Sequence, residues 1–251
     1  MARSLLIRGM LAGLAAGLVA FVVARVFGEG AVAQAIAFEG SHAAAHGEAG
    51  EPELVSRGVQ SSIGLLTATL VYGVGIGGIF ALVFAAMSGR VGGFGARTLA
   101  GLIGLGGFVA IGLVPFLKYP PNPPAVGDAD TIGRRTALFL AMVTISVLVA
   151  VLAVIAGRRL APALGPWNAT IAAALGFVAV MAAAAWLLPA VDEVGHDFPA
   201  STLYQFRVAS LTIQASVWAT LGLVFGALAE RLFEPRAVRA SGGVPVGSGA
   251  R

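Results

Sequence analysis

The sequence predicts an all-α, polytopic integral membrane protein with about six transmembrane helices, and three observations carry that prediction. Of its 251 residues 58% are hydrophobic and only 11% are charged, too little polar surface for a globular exterior in water. The apolar residues fall in six continuous runs of about 20, the length that crosses a hydrocarbon core about 30 Å thick. The runs are rich in Ala, Gly, Leu and Val and lack the alternating polarity of barrel strands, so helices are expected and a β-barrel is not.

In order, the spans are expected at about 5–27, 62–87, 99–116, 137–156, 169–188 and 208–228. They form a transmembrane domain over 1–230, with outer loops at 28–61, 117–136 and 189–207 and a disordered cytoplasmic tail at 231–251. The first run has a basic start and an A-x-A stretch at Ala31 to Ala33, which admits a cleaved signal peptide. Its apolar core is longer than such peptides carry, which favours a retained helix with Arg25 snorkelling and meeting Glu29 one turn on. Gly9, Gly13 and Gly17, and again Gly222 and Gly226, are spaced by four and would let helix backbones approach closely.

Charge sets the direction. Arg3, Arg8, Arg90, Arg97, Arg158, Arg159, Arg231, Arg236, Arg239 and Arg251 fall on the side of both termini, against only Glu230 and Glu234, so the positive-inside rule makes that side cytoplasmic. The other ten acids and all three histidines fall on the outer side, a surface suited to gathering cations or simply to solvation. The basic balance is thus a topology signal, and no polar domain exists to bind nucleic acid. Arginine-ended segments at Arg90, Arg159 and Arg231 recur about every 70 residues, which fits three copies of a two-helix hairpin or chance matching in an Ala/Gly-rich chain.

Candidate chemistry lies in the outer loops. With no cysteine, a metal must be held by imidazole, carboxylate, carbonyl or water. His42 and His46 are four apart and would share a helix face, with Glu39 or Glu48 nearby; the flanking glycines equally allow a solvated loop. Asp192, Glu193, His196 and Asp197 form a second group, either ligands or a helix exit and cap. Between spans three and four, Pro120, Pro121, Pro123 and Pro124 impose an extended strap, and Lys118, Arg134 and Arg135 can pair with Asp128, Asp130 or the later loop acids to fix it. No P-loop and no histidine within a span is present, so catalysis is not expected.

The chain resembles the CbtA family of bacteria, probable cobalt transporter proteins. The resemblance runs from "RGMLAGLAAGL" through "EPELVSRGVQSSIGLL" and "YGVGIGGIFALVFAAMSGR", and is most specific in "VPFLKYPPNPPAVGDADTIGRRT" and "FPASTLYQFRVASLTIQASVWATLGLVFG". It makes Lys118, Asn122, Asp128, Arg134, Arg135, Phe198 and Arg207 family-signature positions. It implies a multi-pass protein of the bacterial inner membrane, related to cobalamin metabolism, that takes up Co²⁺ as cargo beside a small one-span, histidine-bearing partner (CbtB). No resident cofactor is implied. A transport path would rest on carbonyls and on Gln60, Thr67, Thr69, Tyr72, Thr144, Ser146 and Gln214, because the spans hold almost no ionisable groups. The alternative expectation is a non-transporting assembly or sensor protein whose outer loops dock a partner.

Overall fold

A computed structural model describes residues 2–45, 55–124, 126, 127 and 129–232, so His46, Glu48, Asp128 and the tail beyond Leu232 lie outside the described residues. The described chain is helical with no strand. Five helices are long and apolar enough to cross a membrane: α1 (Ala2–Ala45), α2 (Arg57–Met87), α3 (Ala96–Lys118), α4 (Ile132–Leu187) and α5 (Ala200–Leu232). Many large side chains on them, among them Leu11, Leu18, Val71, Leu105 and Leu223, are exposed on the protein, as a lipid-facing surface requires.

The count differs from six because α4 holds two of the expected spans. Straight, its 56 residues would reach about 84 Å. Instead Gly165 takes φ 78° and ψ 157°, a conformation essentially reserved for glycine, between Pro162 and Pro166. Pro166 removes an amide and disfavours helix at the residue before it. The two arms then fold antiparallel: Met142 and Met181 are buried in one cluster, and a Cβ on Gly157 would lie 3.3 Å from that of Ala173.

Helix α1 also departs from expectation, since it does not give way to a loop at 28 but continues to Ala45. At about 66 Å it is twice the thickness of the hydrocarbon core, so one end projects beyond it. Residues Ala24–Gly28 within it are π-helical, as are Gln60–Gly64 in α2, Phe108–Leu113 in α3 and Leu221–Phe225 in α5.

The chain divides into two compact units. In the first, Met1–Val19, Leu66–Leu105 and Val217–Arg251, glycine governs packing. A Cβ on Gly9, Gly13 or Gly17 would collide with the backbone of Gly77, Gly73 or Thr69, and one on Gly77 would lie 2.8 Å from Gly13 Cα. Backbone therefore meets backbone along α1 and α2. Gly104 packs likewise on Trp218 O (2.9 Å from a Cβ), and Gly226 on Arg97 Cα (3.1 Å), joining α3 to α5. Phe80 and Phe84 of α2 meet Phe225 of α5 edge to face at 5.3 and 5.0 Å. Arg97 and Glu230 form an ion pair there.

The second unit, Ala20–Leu65 and Gly106–Ser216, carries the proline strap, the α4 arms and the projecting end of α1. Glu29 and Arg57 pair at 2.7 Å, and Thr202 Oγ1 donates to Gln34 Oε1 at 2.9 Å, tying α1 to α2 and to α5. The expected partner of Glu29 is Arg25, which instead is exposed. It sits in the π-helical segment, whose wider turn moves it off the i, i+4 alignment that pairing needs.

Substituting Gly13→Val is expected to destabilise the protein by at least about 1–3 kcal/mol, because a side chain there meets backbone that cannot rotate away. Gly75→Ala, on the same α2 but with nothing within 4 Å of its Cβ, serves as the neutral control. Thermal unfolding in detergent, followed by tryptophan emission, checks both. Gly165→Ala should cost about 1–3 kcal/mol in the same assay, from backbone strain alone.

Candidate functional site

The strap is pinned at each end and in the middle. Tyr119 is buried among Met142, Met181 and their neighbours from both α4 arms, and its hydroxyl donates to Pro189 O at 2.8 Å. Burial raises its pKa above the usual value near 10, an effect only partly offset by the positive charge of Arg134. The hydroxyl therefore stays a donor at neutral pH. Asn122 Oδ1 accepts from Arg207 Nη2 of α5 at 3.0 Å. Val126 turns back on Pro123 O at 3.3 Å and is buried with Ala35 of α1 and Phe198, with Phe38, Val194 and Leu203 packed around them.

The strap closes over an ion pair. Arg135 Nη1 lies 3.1 Å from Glu193 Oε2, the latter side chain only 15% exposed. A Cβ on Gly127 would sit 2.9 Å from both Arg135 Cζ and Glu193 Oε2, and Gly127 has φ 108°, so space and backbone angle both demand glycine. The expected pairing of the strap arginines with a later loop acid is thus made by Arg135 and Glu193. Such a partly shielded pair is worth more than an exposed one.

Beneath the strap lies a cavity of about 270 Å³. Tyr119, Pro120, Pro121 and Asn122 form one side, Ile132, Arg135, Thr136 and Phe139 of α4 another, and Val191, Asp192, Val194 and Arg207 complete it. Arg135, Arg207 and Asp192 are thus among the residues that line one small cleft. Among the described residues, Arg135 Nε, Arg207 Nε and Glu193 Oε2 are buried without a hydrogen-bond partner.

Of the expected site residues, Asn122, Arg135, Asp192 and Arg207 line this cavity, and Glu193 pairs beside it. Phe198 anchors the adjoining apolar cluster and stacks edge to face on Phe38 at 5.2 Å. Lys118 Nζ sits 5.7 Å from the Tyr119 ring centroid, while Arg134 is exposed. Glu39 and His42 stand three apart on the exposed end of α1, with His42 against the Phe38 ring, and His196 and Asp197 are exposed in the loop before α5. Among the described residues, no three of these acids and histidines gather as a metal-binding group. Sequence reasoning alone does not single out Tyr119, Gly127 or Thr136. The aromatic residue directly before "PPNPP" is the available signal for the first, and nothing local marks Thr136.

Replacing Arg135 with Gln leaves the Glu193 carboxylate beneath the strap without its cation and is expected to cost about 1–3 kcal/mol. Glu193→Gln should cost less when added to it than alone, in a double-mutant cycle read by thermal unfolding. Because the Tyr119 pKa is raised in the folded state, its contribution is complete below about pH 10 and is lost as pH rises through the folded value. Absorbance titration should show a tyrosine ionisation above the usual range that is lost in Tyr119→Phe.

A family model described as "Probable cobalt transporter subunit (CbtA)" matches residues 2–230, nearly the whole chain. No curated protein and no solved structure matches.

Proposed function

Since this chain belongs to the CbtA family of probable cobalt transporter subunits, which are transport proteins and not enzymes, we propose that it is the permease-like component for uptake of Co²⁺ or a related divalent transition-metal ion. The family match over residues 2–230 carries this reading. Arginine clustering supports a bacterial inner-membrane orientation with both termini in the cytoplasm, which turns the strap, the end of α1 and the loop before α5 outward. There Glu39, His42, Asp192, His196 and Asp197, all exposed, offer oxygen and imidazole groups that attract and partly dehydrate a divalent ion.

Within the membrane the ion finds few ligands. Thr69 and Thr144 donate to their own helices, at Leu66 O and Leu140 O, and Gln60 Nε2 donates to Val55 O. Among the described residues, Ser146 Oγ and Gln214 Oε1 are buried with no hydrogen-bond partner, and Gln214 packs beside Gly112 in the π-helical stretch Phe108–Leu113. So sparse a path favours work with a partner, and a small one-span, histidine-bearing protein of the CbtB kind supplies the missing imidazoles.

Cellular cobalt, measured by elemental mass spectrometry at limiting supply, tests the proposal. Deleting the gene should lower accumulation several-fold, the chain with its small partner should restore it, and His42→Ala/His46→Ala should reduce it. Accumulation that is the same in all these strains would remove the transport reading.

A further inference from the structure

The α4 hairpin is the least enclosed of the spanning elements. Its most apolar stretch is only 11% buried, against 28–33% for the other four helices, so most of its side chains meet the bilayer. Trp167 and Trp186 stand near the two ends of its second arm and are 77% and 85% exposed. The helical rise between positions 167 and 186 is about 28 Å, close to the hydrocarbon thickness of about 30 Å. An exposed indole is best placed where hydrocarbon meets headgroups, so the pair marks the two membrane boundaries.

Arg158 and Arg159 stand at the boundary that Trp167 marks. A Cβ on Gly157 of the first arm would lie 3.3 Å from the Cβ of Ala173 and 3.7 Å from Ala169 O, which fixes the register of the two arms. By that register the backbone of both arginines lies about 5 Å farther into the membrane than that of Trp167. Both side chains are exposed, and α4 holds no acid along its whole length. Among the described residues, neither guanidinium has an ion-pair or hydrogen-bond partner. A guanidinium at that depth reaches back along its own stem to the headgroups, where the available counter-charge is lipid phosphate. Arginine meets phosphate oxygens with two parallel donors, which lysine cannot do.

We propose that Arg158 and Arg159, at the turn end of the α4 hairpin, bind the headgroup of an anionic phospholipid. A zwitterionic headgroup also has a phosphate, but its ammonium group would stand beside two guanidinium groups with no acid of α4 to balance it. A net negative headgroup neutralises the pair. Pro162 and Pro166 flank the turn at Gly165 and stiffen it, so both charges are presented at one level. Orientation of the chain needs only positive charge on that side, whereas a lipid site needs these two positions. The proposal depends on α4 spanning the bilayer and is independent of the metal-uptake reading.

The test compares phosphatidylglycerol with phosphatidylcholine of the same acyl chains, added to the full chain in neutral detergent, with bound lipid counted by native mass spectrometry. The unmodified chain should retain phosphatidylglycerol at concentrations where phosphatidylcholine is lost. Arg158→Gln/Arg159→Gln should weaken phosphatidylglycerol binding about tenfold or more, at roughly fivefold for each charge removed, and leave phosphatidylcholine unchanged. Arg158→Lys/Arg159→Lys keeps both charge and orientation signal and should fall in between. Arg3→Gln/Arg90→Gln removes the same charge from other exposed positions and should have little effect. Thermal unfolding confirms that each variant is folded. A preference for phosphatidylglycerol that is absent, or that falls equally in the Arg3/Arg90 variant, overturns the proposal, the second result pointing to a diffuse positive field. Inorganic phosphate in excess should not displace the lipid. Displacement through the same two arginines would make this a site for a soluble anion and would also overturn it. None of these outcomes involves cobalt, so the lipid site and the transport reading stand or fail separately.

Discussion

Hydrocarbon offers no water to an unmet amide or carbonyl, and that constraint governs what this chain can do. Every spanning segment is helical, and several hydroxyls inside the spans turn back on their own helices, as Thr144 does on Leu140 and Ser210 on Phe206. Because lipid also removes the hydrophobic drive between helices, association depends on close approach. Gly9, Gly13 and Gly17 meet Gly77, Gly73 and Thr69 with no room for a methyl group, and Gly104 and Gly226 repeat the device between α3 and α5. The interior that results is well packed and poor in ligands. Chemistry is left to the segments that connect the helices.

The proline strap shows what such a segment can be made to do. Four prolines keep it extended, and it is fixed to the α4 arms through Tyr119, to α5 through Asn122, and to α1 through the cluster of Ala35, Val126 and Phe198. The loss of chain entropy on ordering is small for a segment already stiff in the unfolded state. A rigid roof holds Arg135, Arg207 and Asp192 around one cavity with little freedom to collapse onto each other.

Much of the fold is legible in the sequence because the signals are local and repeated. Continuous apolar runs mark the spans, glycines every fourth residue mark the close contacts, and the proline run marks a stiff connection. The turn at Gly165 is foreshadowed only by its two flanking prolines, and it lets a single element, α4, hold two spans. The reach of α1 to Ala45 cannot be read from hydropathy, since a helix leaving the bilayer turns polar while keeping its backbone. Likewise, Glu29 pairs with Arg57, 28 residues away, and not with Arg25, because a π-helical turn intervenes. The signature residues Asn122, Arg135 and Arg207 stand out one by one in the sequence, but that they share a cavity with Asp192 is a property of tertiary structure alone.

The most direct measurement is Co²⁺ entry into sealed liposomes containing the purified chain, alone and with the proposed small histidine-bearing protein, followed by quenching of an enclosed metal-sensitive dye. The account predicts entry faster than in protein-free vesicles when both proteins are present. Entry no faster than in empty vesicles with both proteins present would contradict it.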